Sequence, residues 1–329
     1  MPGGQPHQAV REVFLQVHIT SRCNLACKHC YSDAAPTDMD LALFGEVLDQ
    51  FAELAGGLGS SRSLVQITGG EPLVHPDIER ILSTAASRFP VRVLSNGTLI
   101  DTKAARMLKR HCEAVQVSLD GLEHHHDAWR GEGSFEATVT GIGELRKAGV
   151  PCSARMTLAR QNQGCVDELL ERLGDQVQGF NVSRIVPIGP CDLDQPDTTE
   201  YRRTIYNLYA RHFDDPRIRL RDPFFGVLMK VDHPDRGFRG CSAGISGVCV
   251  TDMGDILPCR RLPVTLGNVR SDRLIDVYRS HPLMAALRAR ELGGKCGRCE
   301  NRSVCGGSRC VAYGMSGDPL AEDPGCIFE

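Results

Sequence analysis

The sequence predicts an α/β protein: an open, partial (β/α)6 TIM-like barrel followed by a small irregular C-terminal domain. Three observations predict it. Short β-rich runs alternate with longer amphipathic runs six times between about residue 13 and residue 213. Beyond about residue 220 the alternation gives way to Gly- and Cys-rich segments with few long helical patterns. The 15 cysteines of the 329-residue chain are unevenly spread, three near the start and eight between Cys241 and Cys326.

The strand candidates are Phe14–Thr20, Leu64–Thr68, Val91–Ser95, Ala114–Leu119, Cys152–Leu158 and Gly179–Val186. Between them fall the helical patterns Leu41–Ala55, Asp77–Arg88, Thr102–His111, Phe135–Ala148, Val166–Leu173 and Glu200–Phe213. Such alternation argues for a parallel sheet wrapped by helices, and six units rather than eight leave the barrel open. Active sites of such barrels sit where strands end and loops begin. The region after residue 220 is too irregular to bury a good core, so bound metal is expected to hold it together. The expected domains are therefore 1–220 and 221–329.

Composition sets bounds. With 41% hydrophobic and 24% charged residues the chain is an ordinary globular protein. No apolar run approaches the roughly 18 residues of a membrane span, and the start lacks the pattern of a signal peptide. A cytoplasmic protein is expected. A formal charge of -3 argues against nucleic acid as a partner. In a reducing compartment clustered cysteines read as metal ligands rather than disulfides. Cys112, Cys152, Cys165 and Cys191 lie outside the clusters and read as small buried side chains.

The run Ser-Arg-Cys23-Asn-Leu-Ala-Cys27-Lys-His-Cys30-Tyr31 follows the first strand. Three thiolates on one loop can hold three irons of a 4Fe–4S cluster. The next cysteine is Cys112, so one iron is left open to bind a ligand. A structural zinc site is the weaker alternative, since such sites close at four ligands. After the second strand comes Thr68-Gly69-Gly70-Glu71-Pro72, whose glycines let backbone approach a ligand and whose carboxylate can accept from an ammonium. The third and fourth strands end in Ser95-Asn96-Gly97-Thr98 and Ser118-Leu119-Asp120-Gly121.

Together these runs resemble the radical S-adenosylmethionine (SAM) enzymes. The resemblance implies that SAM chelates the open iron and that Gly69, Gly70 and Glu71 bind its amino group. It places Tyr31, Ser95, Asn96, Ser118 and Asp120 near SAM, with Arg155 and Thr157 reaching its carboxylate. Val186-Pro187-Ile188-Gly189 resembles the apolar shelf under the adenine. His124, His125 and His126 look like a metal tract, but His126-Asp127-Ala128-Trp129-Arg130-Gly131 resembles a family loop, and the structural reading is preferred.

The C-terminal order is Cys241-x7-Cys249-x9-Cys259, then Cys296-x2-Cys299-x5-Cys305-x4-Cys310-x15-Cys326. With the run Cys305-Gly306-Gly307-Ser308-Arg309-Cys310 it resembles the SPASM extension, an iron–sulfur cluster domain carrying one or two auxiliary 4Fe–4S clusters. Cys296, Cys299, Cys305 and Cys326 make one complete set. Cys241, Cys259 and Cys310 are candidates for another, with Cys249 either its fourth ligand or a free thiol. Many relatives carry a cysteine where Ser308 stands.

A free Cys249 would suit return of a hydrogen atom to a substrate radical. This resembles the radical SAM epimerases of aminoglycoside biosynthesis, and implies a small cationic amino-sugar substrate and Cys249 as the catalytic donor. The acids Asp192, Asp194, Asp197 and Glu200 are candidate partners for ammonium groups; capping of the next helix is the preferred alternative. Only about a dozen residues precede the first strand, so no fused peptide-recognition domain is expected. The alternatives are a peptide maturase forming thioether or carbon–carbon cross-links and a haem-biosynthesis-type enzyme. A flavodoxin or ferredoxin is the implied reductant, and the Gly-Gly-Glu-Pro loop argues against a plain electron carrier.

Overall fold

A computed structural model describes residues 12–32, 35–191, 193–215, 217–232 and 240–328. Seven strands run in chain order: β1 (Glu12–His18), β2 (Arg62–Thr68), β3 (Val91–Ser95), β4 (Ala114–Ser118), β5 (Cys152–Leu158), β6 (Gly179–Arg184) and β7 (Ile218–Leu220). Each pairs in parallel with the next. The crossovers carry α1 (Leu41–Gly57), α2 (Ile78–Ala86), α3 (Thr102–His111), α4 (Glu123–Arg130), α5 (Ser134–Lys147), α6 (Val166–Leu173) and α7 (Thr198–His212). The expected barrel is therefore present.

Strand alternation explains the layering. Val13, Leu15 and Val17 of β1 are buried in one core with Phe44, Val47 and Phe51 of α1. The intervening Glu12, Phe14 and Gln16 line the barrel interior. Asp side chains start the helices: Asp40 accepts from Leu43 N at 2.7 Å, and Asp101 accepts from Ala104 N at 2.7 Å.

The sheet is wider than the six expected strands. After α8 (Phe224–Asp232), the strand β8 (Gly247–Val250) lies parallel to β1, with Cys249 opposite Gln16. The strands β9 (Asp255–Leu257) and β10 (Gly267–Asn268) follow antiparallel, giving the order β10-β9-β8-β1-β2-β3-β4-β5-β6-β7. Both edges of the six-stranded sheet are thus covered by added strands, which satisfies backbone groups that an open edge would leave bare. The remaining helices are short: α9 (Leu274–Ser280), α10 (Pro282–Ala289), α11 (Gly294–Arg298) and α12 (Arg309–Ser316). Among the described residues no helix is long and apolar enough to cross a membrane.

Candidate active site

Cys23, Cys27 and Cys30 lie on the loop between β1 and α1, at the carboxyl end of the sheet. Lys28 N donates to Trp129 O at 2.9 Å, tying this loop to α4. The glycine pair after β2 serves this loop directly. Gly70 N donates to Thr20 O at 2.8 Å, and Glu71 N donates to Arg22 O at 2.9 Å. A Cβ on Gly70 would lie 2.3 Å from Arg22 O, and one on Gly69 would lie 2.2 Å from Thr20 O. The glycines are needed so that two loops can touch.

Several expected SAM-binding groups are engaged by the chain itself. Glu71 is fully buried, and its carboxylate accepts from Ser95 Oγ at 2.9 Å, Asn96 N at 2.7 Å and Leu73 N at 3.1 Å. Burial nevertheless outweighs these donors and pushes its pKa up to about 7. Asn96 Nδ2 donates to Asn24 Oδ1 at 2.9 Å, and its Oδ1 accepts from Thr98 N at 2.9 Å. Asp120 accepts from Thr157 N at 2.7 Å and from Arg130 Nε at 2.7 Å. These contacts tie the loops that carry Glu71, Ser95, Asn96 and Asp120 to one another. Ser118, half-buried at the end of β4, makes no side-chain hydrogen bond among the described residues. Arg155 donates to Ser183 Oγ at 3.0 Å.

Arg130 escaped the sequence reading. It ends α4, is largely buried beside the cluster loop, and places Nη1 3.9 Å from Cys27 Sγ. Burial opposes ionisation of Asp120, yet Arg130 and His29 hold that carboxyl far below the usual range. His126 belongs to the same structure: its Nδ1 accepts from Asp120 N at 3.2 Å, and its ring packs edge-on against Phe135. The preferred structural reading of the His tract fits this packing, although the segment is a helix rather than a loop.

Tyr31 and Ile188 meet the C-terminal region. Val186 and Ile188 pack with Ala243, Leu262, Cys310 and Val311 against Tyr31, so the expected adenine shelf also joins the two regions. Arg260 lies over the Tyr31 ring at 5.4 Å. Of the acidic segment, Asp192 lies outside the described residues. Asp197 caps α7, accepting from Thr199 N at 2.8 Å and Glu200 N at 2.9 Å. Glu200 pairs with Arg160 at 3.3 Å. Asp197 therefore serves as the helix cap, and Glu200 is a partner of Arg160.

Inside the barrel lies a cavity of about 1010 Å³, lined in part by Gln16, Arg155, Asn181, Arg221, Cys249 and Arg260. Cys249 is buried on β8, and burial raises its thiol pKa beyond the ordinary range, so it stays protonated. Cys259 and Cys310 face each other across 4.0 Å. The S–H of Cys310 and the cations of Arg261 and Arg260 hold Cys259 below the ordinary thiol range against burial. Cys241 and Cys259 both pack against the apolar cluster that contains Cys310.

In the second group, N–H donors point at sulfur. Asp323 N donates to Cys296 Sγ at 3.3 Å and Gly307 N to Cys305 Sγ at 3.3 Å. At the first loop, Leu25 N donates to Cys23 Sγ at 3.4 Å. Hydrogen bonds to sulfur and flanking cations fit thiolates that ligate iron, and such bonds tune cluster potentials.

Comparisons with known proteins agree with this geometry. The radical SAM superfamily model matches residues 17–173, and a SPASM model, an iron–sulfur cluster-binding domain, matches residues 241–300. An AdoMet-dependent heme synthase of Methanosarcina barkeri is 30% identical, over 94% of this chain and 95% of its own. The chain belongs to the radical SAM superfamily. It carries the SPASM extension, and with that membership come a SAM-binding 4Fe–4S cluster, auxiliary clusters and SAM itself. The subtilosin biosynthesis protein AlbA of Bacillus subtilis is 28% identical over 91% of this chain and 67% of its own. The crystal structure of Streptococcus suis SuiB bound to S-adenosylmethionine has the same fold, with a TM-score of 0.76 at 19% identity, covering 97% of this chain and 78% of SuiB. These relatives favour the haem-type and peptide-maturase alternatives over the epimerase expectation.

Proposed function

We propose that this radical SAM enzyme acts on a carboxylate-bearing substrate in a haem-synthase type of reaction. The observation that carries the reading is the charge of the barrel interior. Arg155, Arg221 and Arg260 line it with no carboxylate within salt-bridge distance among the described residues, unlike Arg184 of the same lining, which pairs with Asp222 and Asp323. Burial and the neighbouring Arg261, Arg260 and Arg221 press Arg155 well below its ordinary pKa. An anionic substrate would relieve that repulsion, and guanidinium forks suit carboxylates. A cationic amino sugar would add to it.

When bound, the cluster of Cys23, Cys27 and Cys30 and SAM supply a 5′-deoxyadenosyl radical able to remove hydrogen from an unactivated carbon. The chain's own part is to hold substrate and exclude water. The loops tied together through Glu71 and Asn96 fix the mouth of the barrel, and Arg155, Arg221 and Arg260 orient the substrate's acids. Cys296, Cys299, Cys305 and Cys326 would hold an auxiliary cluster, and Cys241, Cys259 and Cys310 are the candidates for another, Cys259 and Cys310 lying 4.0 Å apart. A flavodoxin or ferredoxin is the proposed reductant.

Cys249 favours a second reading. It is a buried, protonated thiol facing the same cavity, and its S–H can return a hydrogen atom to a substrate radical. That supports epimerisation, of an amino sugar such as neomycin C, with Cys249 as donor. One anaerobic experiment separates the readings: SAM, a reductant and deuterated water with either an iron-bound tetracarboxylate porphyrin or neomycin C. Deoxyadenosine formed only with the porphyrin supports the first reading. Deoxyadenosine only with the sugar, with deuterium in its isomer that is lost in Cys249→Ala, would overturn it. Activity with neither, but with a precursor peptide, would move the substrate to the peptide class.

A further inference from the structure

We infer that the guanidinium of Arg309 is the counter-charge of the iron–sulfur cluster held by Cys296, Cys299, Cys305 and Cys326, and that it stabilises the cluster's reduced form. The inference rests on that ligand set. Arg309 is the first residue of α12 and is 0% exposed. Its Nη1 donates to the carbonyls of Pro319 at 3.2 Å and Ala321 at 2.5 Å. Its Nη2 points at Cys296 Sγ, 3.8 Å away. Its Nε is buried without a hydrogen-bond partner. Among the described residues no carboxylate pairs with it.

A guanidinium cannot give up its proton, so a buried one needs an anion. Asp323 is close enough to matter but is otherwise engaged. Its Oδ2 accepts from Arg184 Nη2 at 2.6 Å and Ser308 N at 2.7 Å, while Oδ1 accepts from Gly325 N at 3.0 Å. Gly307 is the point where the groups meet. A Cβ there would lie 2.5 Å from Arg309 Nη2, 2.9 Å from Asp323 Cβ and 3.2 Å from Cys296 Sγ. The left-handed backbone at Gly307, with φ 57°, therefore leaves room for guanidinium and sulfur together.

Asp323 shares Arg184 with the buried Asp222, and the acceptor that Arg309 Nη2 itself reaches is the Cys296 sulfur. As a free thiol that sulfur would be neutral and a weak acceptor. As a ligand in an all-thiolate four-iron cluster it belongs to an anion, which gains one more negative charge on reduction. A fixed cation beside the sulfur favours the more negative state, through both charge and the N–H to sulfur contact. The competing account is that Arg309 only braces the chain through the two carbonyls. Bracing would affect folding and iron retention but would not distinguish the oxidation states.

The test uses full-length protein with Cys23→Ala, Cys27→Ala and Cys30→Ala, so that only auxiliary iron is read. Midpoint potentials are measured by EPR-monitored titration for this parent and for added Arg309→Gln or Arg309→Lys. The expected result is a negative shift for Gln at full iron content, with Lys remaining nearer the parent. An unchanged potential in iron-replete Arg309→Gln would overturn the inference. Should both variants fail to fold, nitrogen-15 arginine in the parent with Cys241→Ala, Cys259→Ala and Cys310→Ala added, so that only the cluster of Cys296 is read, provides the second measurement. A nitrogen-15 hyperfine coupling at the reduced auxiliary cluster is expected, and its absence overturns the proposal. A reconstituted parent whose iron signals are insensitive to Cys296→Ala would instead overturn the ligand set itself.

Discussion

At the barrel mouth, the buried Asp120 and Arg130 pair within the chain; in the barrel interior and the C-terminal region, Arg155, Arg221, Arg260 and Arg309 have no carboxylate within salt-bridge distance among the described residues. Arg130 and Arg309 show the difference at almost the same distance from sulfur, 3.9 Å to Cys27 and 3.8 Å to Cys296. Arg130 is neutralised by Asp120 at 2.7 Å. Arg309 has carbonyls and a sulfur. The first cation thus has a carboxylate in direct contact, whereas the second has neutral carbonyls and a sulfur.

The largest expected effect comes from unbalancing the first site. Asp120→Asn leaves the buried Arg130 without its anion, and breaking a buried pair from one side costs about 3–5 kcal/mol. Denaturant unfolding of the iron-free protein should show that loss. Asp120→Asn combined with Arg130→Met should recover a good part of it, since both charges are then gone. Equal losses in the single and double variants would show that Asp120 acts through Thr157 N rather than through Arg130.

The next effect is a pH dependence at the same mouth. Glu71 and Asp120 are both fully buried carboxylates with opposite behaviour. Asp120 is held far below its usual pKa, while burial pushes Glu71 up to about 7. An acid whose pKa is raised on folding binds its proton more tightly in the folded state. Its contribution to stability therefore falls as pH climbs from the ordinary carboxylate range to about 7, and is level above that. Glu71→Gln should remove this portion of the slope when unfolding is compared at about pH 5 and about pH 8. An unaltered slope would mean that the donors from Ser95, Asn96 and Leu73 keep Glu71 ionised.

Much of this was legible in the sequence. The six strands and their outer helices announced themselves by local period, which needs only neighbours in the chain. What stayed hidden depends on distant partners or on weak local patterns. In β8 the run Gly-Val-Cys-Val is only four residues long, and its partner β1 lies more than two hundred positions earlier. In α4 the run Glu-His-His-His-Asp-Ala-Trp-Arg offers two buried anchors, His126 and Trp129, and little else. Arg130 follows from that miss, because its role depends on α4 bringing it back to Asp120. The cysteine groups were legible as groups. That Glu71, Ser95 and Asn96 satisfy one another was not, since polar side chains at strand ends read equally well as ligands.

The smallest effects sharpen the contrast between matched and unmatched charge. Arg221 lines the cavity, and its Nε donates to Asn181 Oδ1 at 3.2 Å. If it receives a substrate carboxylate, Arg221→Ala should raise KM roughly tenfold with kcat little changed, the size expected for one charge-assisted hydrogen bond. Asp197 is the control with the opposite logic. Its carboxylate already caps α7 through Thr199 N and Glu200 N, so Asp197→Ala should slightly destabilise the helix and leave KM alone. The reverse outcome, in which KM responds to Asp197 and ignores Arg221, would place a cationic group of the substrate at the mouth. It would make the arginines of the interior partners for iron–sulfur chemistry rather than for substrate.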